Sequence, residues 1–165
     1  MNFIHVSDVH LGYAQYGLPE RFVDFAAAFQ SVVRYAIDNN VEFILIAGDL
    51  FHKRNITAST FLQAYEILTG LKKERPTTKV FAIEGNHDIA YAQDGAGWLE
   101  TLETQGLVKL VQGGILPSVS LSAYVEVGST RIFGVKYLGS STLAALPVIA
   151  EEIAKINSEN GRMYT

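Results

Sequence analysis

The chain contains no cysteine, four prolines and four histidines among its 165 residues. Without cysteine there is no disulfide framework and no thiolate metal site, and that composition fits a reducing compartment, the cytoplasm. No apolar run approaches the roughly 18 residues of a membrane span. Residues 1–6 enter a strand directly, with no basic segment ahead of a long apolar one. A soluble protein with no membrane partner is expected. Positive charge is also scarce: the formal net charge is −4, and the basic residues gather only as Lys53-Arg54 and as Lys72-Lys73 with Arg75. A protein that grips DNA by neutralising phosphates usually carries a basic face, so composition alone argues mildly against a nucleic-acid binder. Bound cations offset part of that deficit where a phosphate must sit.

What is present is core-forming. Hydrophobic residues make up 48% of the chain and charged residues 18%, enough for one folded domain of this length. Residues 3–6 read as a short strand followed by a loop over 7–19. Phe22, Phe25, Ala26, Phe29, Val32, Val33 and Ala36 recur at helical spacing, which predicts an amphipathic helix over 21–39. Residues 42–47 form a near-continuous apolar run typical of a buried parallel strand. A helix is expected over 59–73, stopped by Pro76, then a strand over 79–84, a short helix over 97–105 and a strand over 108–111. After a connector at 113–118, strands at 124–127 and 131–135 flank Gly128-Ser129 as a hairpin, and a last helix spans 142–157. The alternation through residue 85 predicts an α/β fold, a mainly parallel sheet with helical crossovers.

Three histidines lie in short motifs just beyond the first three strands: Asp8-Val9-His10, Gly48-Asp49-Leu50-Phe51-His52 and Gly85-Asn86-His87-Asp88. Parallel sheets collect their ligands at the carboxyl ends of strands. Carboxylate, imidazole and amide oxygen together suit a hard or borderline divalent ion. In extended backbone residues two apart share a face, so Asp8 and His10 are expected to converge on one ion. Gly48 admits a close backbone approach ahead of Asp49, whose carboxylate is placed to bridge two cations. Asn86 offers a neutral oxygen, and His87 a proton donor for a leaving oxygen. Asp, Asn and Gly are ordinary turn formers, and one such motif alone would be incidental; three, each ending an apolar strand, favour a metal site. His5, inside the first strand, is expected to be a hydrogen-bonded core histidine. His52 stands at the pocket rim.

The order D-x-H, G-D, G-N-H-D resembles the calcineurin-like metallophosphoesterases. The strings at 5–13 (HVSDVHLGY), 44–52 (ILIAGDLFH) and 81–88 (FAIEGNHD) narrow the resemblance to the SbcD-type double-strand-break repair nucleases. It is dense through residue 88 and looser afterwards, where 133–138 (FGVKYL) still fits. The resemblance implies two divalent ions, manganese, held by Asp8, His10, Asp49 and Asn86 with Asp49 bridging. His87 is then the catalytic histidine and His52 a supporting catalytic residue. It also implies 3′-to-5′ exonuclease and single-strand endonuclease action on DNA and partnership with an SMC-like ATPase. A homodimer is implied too, through helices carrying Phe61, Leu62, Tyr65, Trp98, Leu99 and Leu102, some of which must serve the core.

That family completes its metal site with three later histidines, the last two in a G-H-x-H pattern, and this sequence has no histidine after residue 87. Residues 1–165 are therefore expected to be the N-terminal half of one metallophosphoesterase domain, an αββα sandwich, in truncated form. An apolar sheet face is expected to lie bare, and activity to be weak. The alternatives are another phosphoesterase of the superfamily acting on nucleotides or phosphoproteins, and a catalytically incomplete chain that only binds metal or a partner.

Overall fold

Ile44 and Ile46 alternate with Phe43 and Leu45 along one strand, and a strand this apolar on both faces needs cover on each. The computed structural model describes residues 1–89, 95–111, 124–135 and 137–159 and divides the chain into two compact units, Met1–Leu110 and Val111–Thr165. The connector expected at 113–118 and Lys136 lie outside the described residues.

In the first unit, β1 (Phe3–Val6), β2 (Phe43–Ala47), β3 (Lys79–Ile83) and β4 (Lys109–Leu110) form one parallel sheet in the order β1-β2-β3-β4. The crossovers carry α1 (Pro19–Asp38), α2 (Ala58–Glu74) and α3 (Trp98–Thr104). Pro19 opens α1 with its φ already helical. The Thr57 hydroxyl caps α2 by accepting from Thr60 N–H at 3.2 Å. Phe29, Val33 and Ala36 of α1 and Ala64, Leu68 and Leu71 of α2 join Ile44, Ile46, Val80 and Ala82 in one buried cluster with Leu99 and Leu102 of α3. At roughly 1.5–3 kcal/mol for each fully buried aliphatic side chain, this cluster is the main term holding the sheet to its helices.

The opposite sheet face holds Phe43 between Phe3, stacked at 5.0 Å, and Phe81 at 5.9 Å. On that face Phe43 and Phe81 are 1% and 5% exposed and Phe3 is 49% exposed. His5 corrects an expectation: it is exposed, not a core residue, because β1 is an edge strand and its outer positions meet solvent.

The second unit contains the antiparallel hairpin β5 (Tyr124–Val127) and β6 (Thr130–Phe133), turned at Gly128 with φ 58°, and α4 (Thr142–Glu159). The buried Arg131 guanidinium donates to Glu126 at 2.7 Å and to Asn157 of α4 at 2.9 Å, tying hairpin to helix. Among the described residues, no helix is long and apolar enough to cross a membrane.

Candidate metal centre

The loops after β1, β2 and β3 are laddered together by main-chain hydrogen bonds. Asp8 N–H donates to Gly48 O (3.2 Å), His10 N–H to Asp49 O (3.0 Å) and Leu11 N–H to Leu50 O (2.9 Å), with His52 N–H returning to Leu11 O (2.9 Å). Five ligand-type side chains converge there. Asp8, His10 and Asp49 each present one ligand atom within 4.8 Å of the others, and His10, His52 and His87 do the same. His10 belongs to both sets.

Asp8 and His10 meet, with Oδ1 and Nε2 3.7 Å apart, but not by strand alternation. Their φ values are 56° and 51°, and Asp49 has 54°, all in the left-handed region that non-glycine residues enter at a cost. The turns, not extended backbone, aim these side chains. Strained backbone of this kind, over-determined by surrounding hydrogen bonds, concentrates at functional sites.

Two glycines let Asp49 in. A Cβ on Gly48 (φ 94°) would stand 2.9 Å from Gly85 Cα, and a Cβ on Gly85 would overlap the Asp49 carboxylate and lie 2.5 Å from its nitrogen. Asp49, buried at 8% exposure, accepts the His87 N–H through Oδ1 at 3.0 Å, with no partner for Oδ2 among the described residues. Asp8 is largely exposed, its Oδ2 accepting from the Ser7 hydroxyl at 2.6 Å. Asn86 is exposed in the turn beside His87.

His87 Nδ1 lies 2.6 Å from His52 O. A carbonyl only accepts, so Nδ1 carries the hydrogen and Nε2 is left for chemistry. The three imidazoles pack against one another at centroid distances of 5.1–5.5 Å. His52 is further covered by the Tyr13 ring, stacked at 4.0 Å. Burial, then the neighbouring His10 and His87, lowers the His52 pKa and keeps it neutral at physiological pH.

A calcineurin-like phosphoesterase model matches residues 1–152. The chain belongs to that family. Curated relatives include the DNA double-strand break repair protein Mre11 of Archaeoglobus fulgidus, 43% identical over 111 residues, covering 67% of this chain and 24% of the relative. The Methanosarcina mazei protein of the same name is 32% identical over 162 residues, covering 98% and 24%. The chain thus spans about a quarter of the length of these relatives. The solved nuclease MPE of Pseudomonas putida superposes with a TM-score of 0.44 at 24% identity, covering 70% of this chain and 50% of that one, too partially to bear on the site.

Calcineurin-like phosphoesterases use divalent ions, and this donor set fits them. His10 Nδ1 and His52 Nδ1 are buried with no hydrogen-bond partner among the described residues, beside carboxylates on the same loops. Neutral imidazole and carboxylate oxygen are the donors such ions take. The residues to which sequence reasoning gave no role of their own are Tyr13, Gly85 and Asp88. All three lie inside the phosphoesterase motif strings, but their roles depend on contacts across loops.

Of the six residues considered for a dimer contact, Leu99 and Leu102 are 1% and 0% exposed and serve the core. Leu62 is 50% exposed, and Phe61, Tyr65 and Trp98 are half-buried, with Phe61 ringed by Tyr65 and Trp98 at 6.1 and 5.5 Å.

Proposed function

We propose that this protein is the N-terminal part of a manganese-dependent DNA nuclease of the double-strand-break repair class, cutting phosphodiester bonds as a 3′-to-5′ exonuclease and single-strand endonuclease. The observation that carries the proposal is the convergence of Asp8, His10, Asp49, His52 and His87 from three loops at one sheet edge. Asp8, His10, Asp49 and Asn86 are the residues that would hold the ions. Ions bound there neutralise the phosphoryl oxygens and lower the pKa of a bound water.

The chain's own residues do the rest. His87, its Nδ1–H held by His52 O, contacts the phosphate and, when its ring carries a second proton on Nε2, passes that proton to the leaving oxygen and returns to the neutral Nδ1–H form. His52 fixes His87 through its carbonyl and stays neutral itself, adding no charge that would repel cations. Lys53 and Arg54, next in sequence, supply local positive charge for a DNA backbone in a chain that is otherwise acidic. The relatives' name, DNA double-strand break repair protein, supports DNA as the substrate; an SMC-like ATPase as partner is what the motif resemblance implies. Leu62, Phe61, Tyr65 and Trp98 form the contact of a homodimer, and the protein works in the cytoplasm.

Calorimetric titration with Mn²⁺, followed by hydrolysis assays on a DNA oligonucleotide and on a phosphoprotein and a mononucleotide, tests this reading. Mn²⁺ binding that Asp49→Ala removes, with cleavage confined to DNA, is expected. Absence of Mn²⁺ binding, or cleavage of the other substrates alone, overturns it.

A further inference from the structure

We infer that Asp88 is a positioning residue for this site, a clamp whose carboxylate fixes the β2 loop against the β3 loop and thereby sets the spacing of the ligand side chains. The inference rests on the metal-site reading above and deepens it.

Asp88 is 5% exposed and makes no ion pair among the described residues. Its Oδ1 accepts Phe51 N–H at 3.0 Å; its Oδ2 accepts Leu50 N–H at 3.3 Å and Gly85 N–H at 3.1 Å. Burying a carboxylate without a cation is costly, and main-chain donors offset only part of that cost. A residue that served only to fill space there would be apolar. The three donors show what the carboxylate achieves. Leu50 and Phe51 are 0% and 1% exposed, so no solvent can replace the acceptor.

The clamp has a reciprocal. Asp49, the residue before Leu50, sends its carboxylate the other way, onto His87 N–H, the residue before Asp88. Each loop thus holds the other's backbone with a carboxylate. The β1 loop hangs on the same frame, since His10 N–H and Leu11 N–H donate to Asp49 O and Leu50 O. Asp88 belongs to neither set of converging ligand side chains among the described residues. It sets where five of them stand.

The test compares Asp88→Asn with the wild-type protein. An amide supplies one acceptor and one donor, so in either orientation at least one of the three N–H groups faces another N–H. Val33→Ala, a core truncation in α1, serves as the control for lost stability alone. A positioning role predicts Mn²⁺ binding weakened by about 10- to 100-fold, the range seen when the outer support of a metal site is removed. The kcat for phosphodiester cleavage falls with KM little changed, while Val33→Ala lowers Tm without moving either. In the metal-free protein, amide resonances of Asp8, His10, Asp49 and His87 should shift as well as those of Leu50, Phe51 and Gly85. Should Asp88→Asn fail to fold, Asp88→Glu carries the same comparison, keeping both acceptors one methylene further out. Unchanged Mn²⁺ affinity with a lowered Tm overturns the clamp, as do resonance shifts confined to the three donors. If the wild type binds no Mn²⁺, the functional reading fails and the metal-free resonances still decide the clamp.

Discussion

The Asp49 carboxylate and the His87 backbone share a 3.0 Å hydrogen bond, so the central acid of one loop determines where the histidine of the next loop begins. That bond exists because Gly85 has no side chain. Replacing Gly85 by Ala puts a methyl group on the Asp49 carboxylate. Gly85→Ala is expected to weaken Mn²⁺ binding at least tenfold while circular dichroism stays that of the wild type. Wild-type affinity in a titration calorimeter would show that Asp49 relocates without consequence.

Tyr13 covers one face of His52. Burial is the first cause of the low His52 pKa, so uncovering the ring should raise it toward the ordinary 6.5. Tyr13→Ala is expected to do so in a proton NMR titration of the metal-free protein. A His52 midpoint that does not move would mean that His10 and His87 set it.

Glu103 ties α3 to β4 through Lys109 Nζ at 2.9 Å and Leu110 N–H at 3.0 Å. Partial burial pushes its carboxyl up, but those two contacts outweigh it and the pKa lies below its ordinary 4.5. The unfolded chain therefore takes up the proton first as pH falls. The contribution is complete above 4.5 and is lost as pH drops through the folded-state value. Because Lys109 is largely exposed, the effect is worth less than about 1 kcal/mol. Glu103→Gln should lower Tm slightly at pH 7 and by less and less as pH falls below 4.5; a loss that does not shrink in acid would refute the assignment.

Leu62 is half exposed beside the Phe61, Tyr65 and Trp98 rings. Leu62→Glu is expected to convert a dimer into a monomer in light scattering while Mn²⁺ affinity is kept. A wild-type protein that is monomeric at high concentration removes this surface from consideration.

Much of this was legible in the sequence because period and punctuation agreed. The apolar runs at 43–47 and 79–83 could only be buried strands, and Gly128-Ser129 turned where a hairpin needs positive φ. The helix begins at Pro19, earlier than 21, because its first turn carries no apolar stripe and only the proline marks it. His5 was misjudged because alternation tells which residues share a face, not whether an edge strand's face is covered. The candidate ligand residues stood out as motifs, but the route by which they converge did not: strand alternation cannot foresee two consecutive loops turning through left-handed conformations. Tyr13 and Asp88 act on residues about 40 positions away, a distance at which a single sequence carries no local signal.

Those left-handed residues bear on heat tolerance. Asp8, His10 and Asp49 each hold a conformation that costs about 1 kcal/mol or more for a side-chain-bearing residue. Glycine enters it freely. An Asp8→Gly protein should therefore melt at a higher temperature than its parent while losing a proposed ion ligand, and calorimetric scanning in a chelator would read the gain. Selection for ruggedness alone would erase these positions first. A thermally improved variant of this protein should therefore be checked at residues 8, 10 and 49 before anything else.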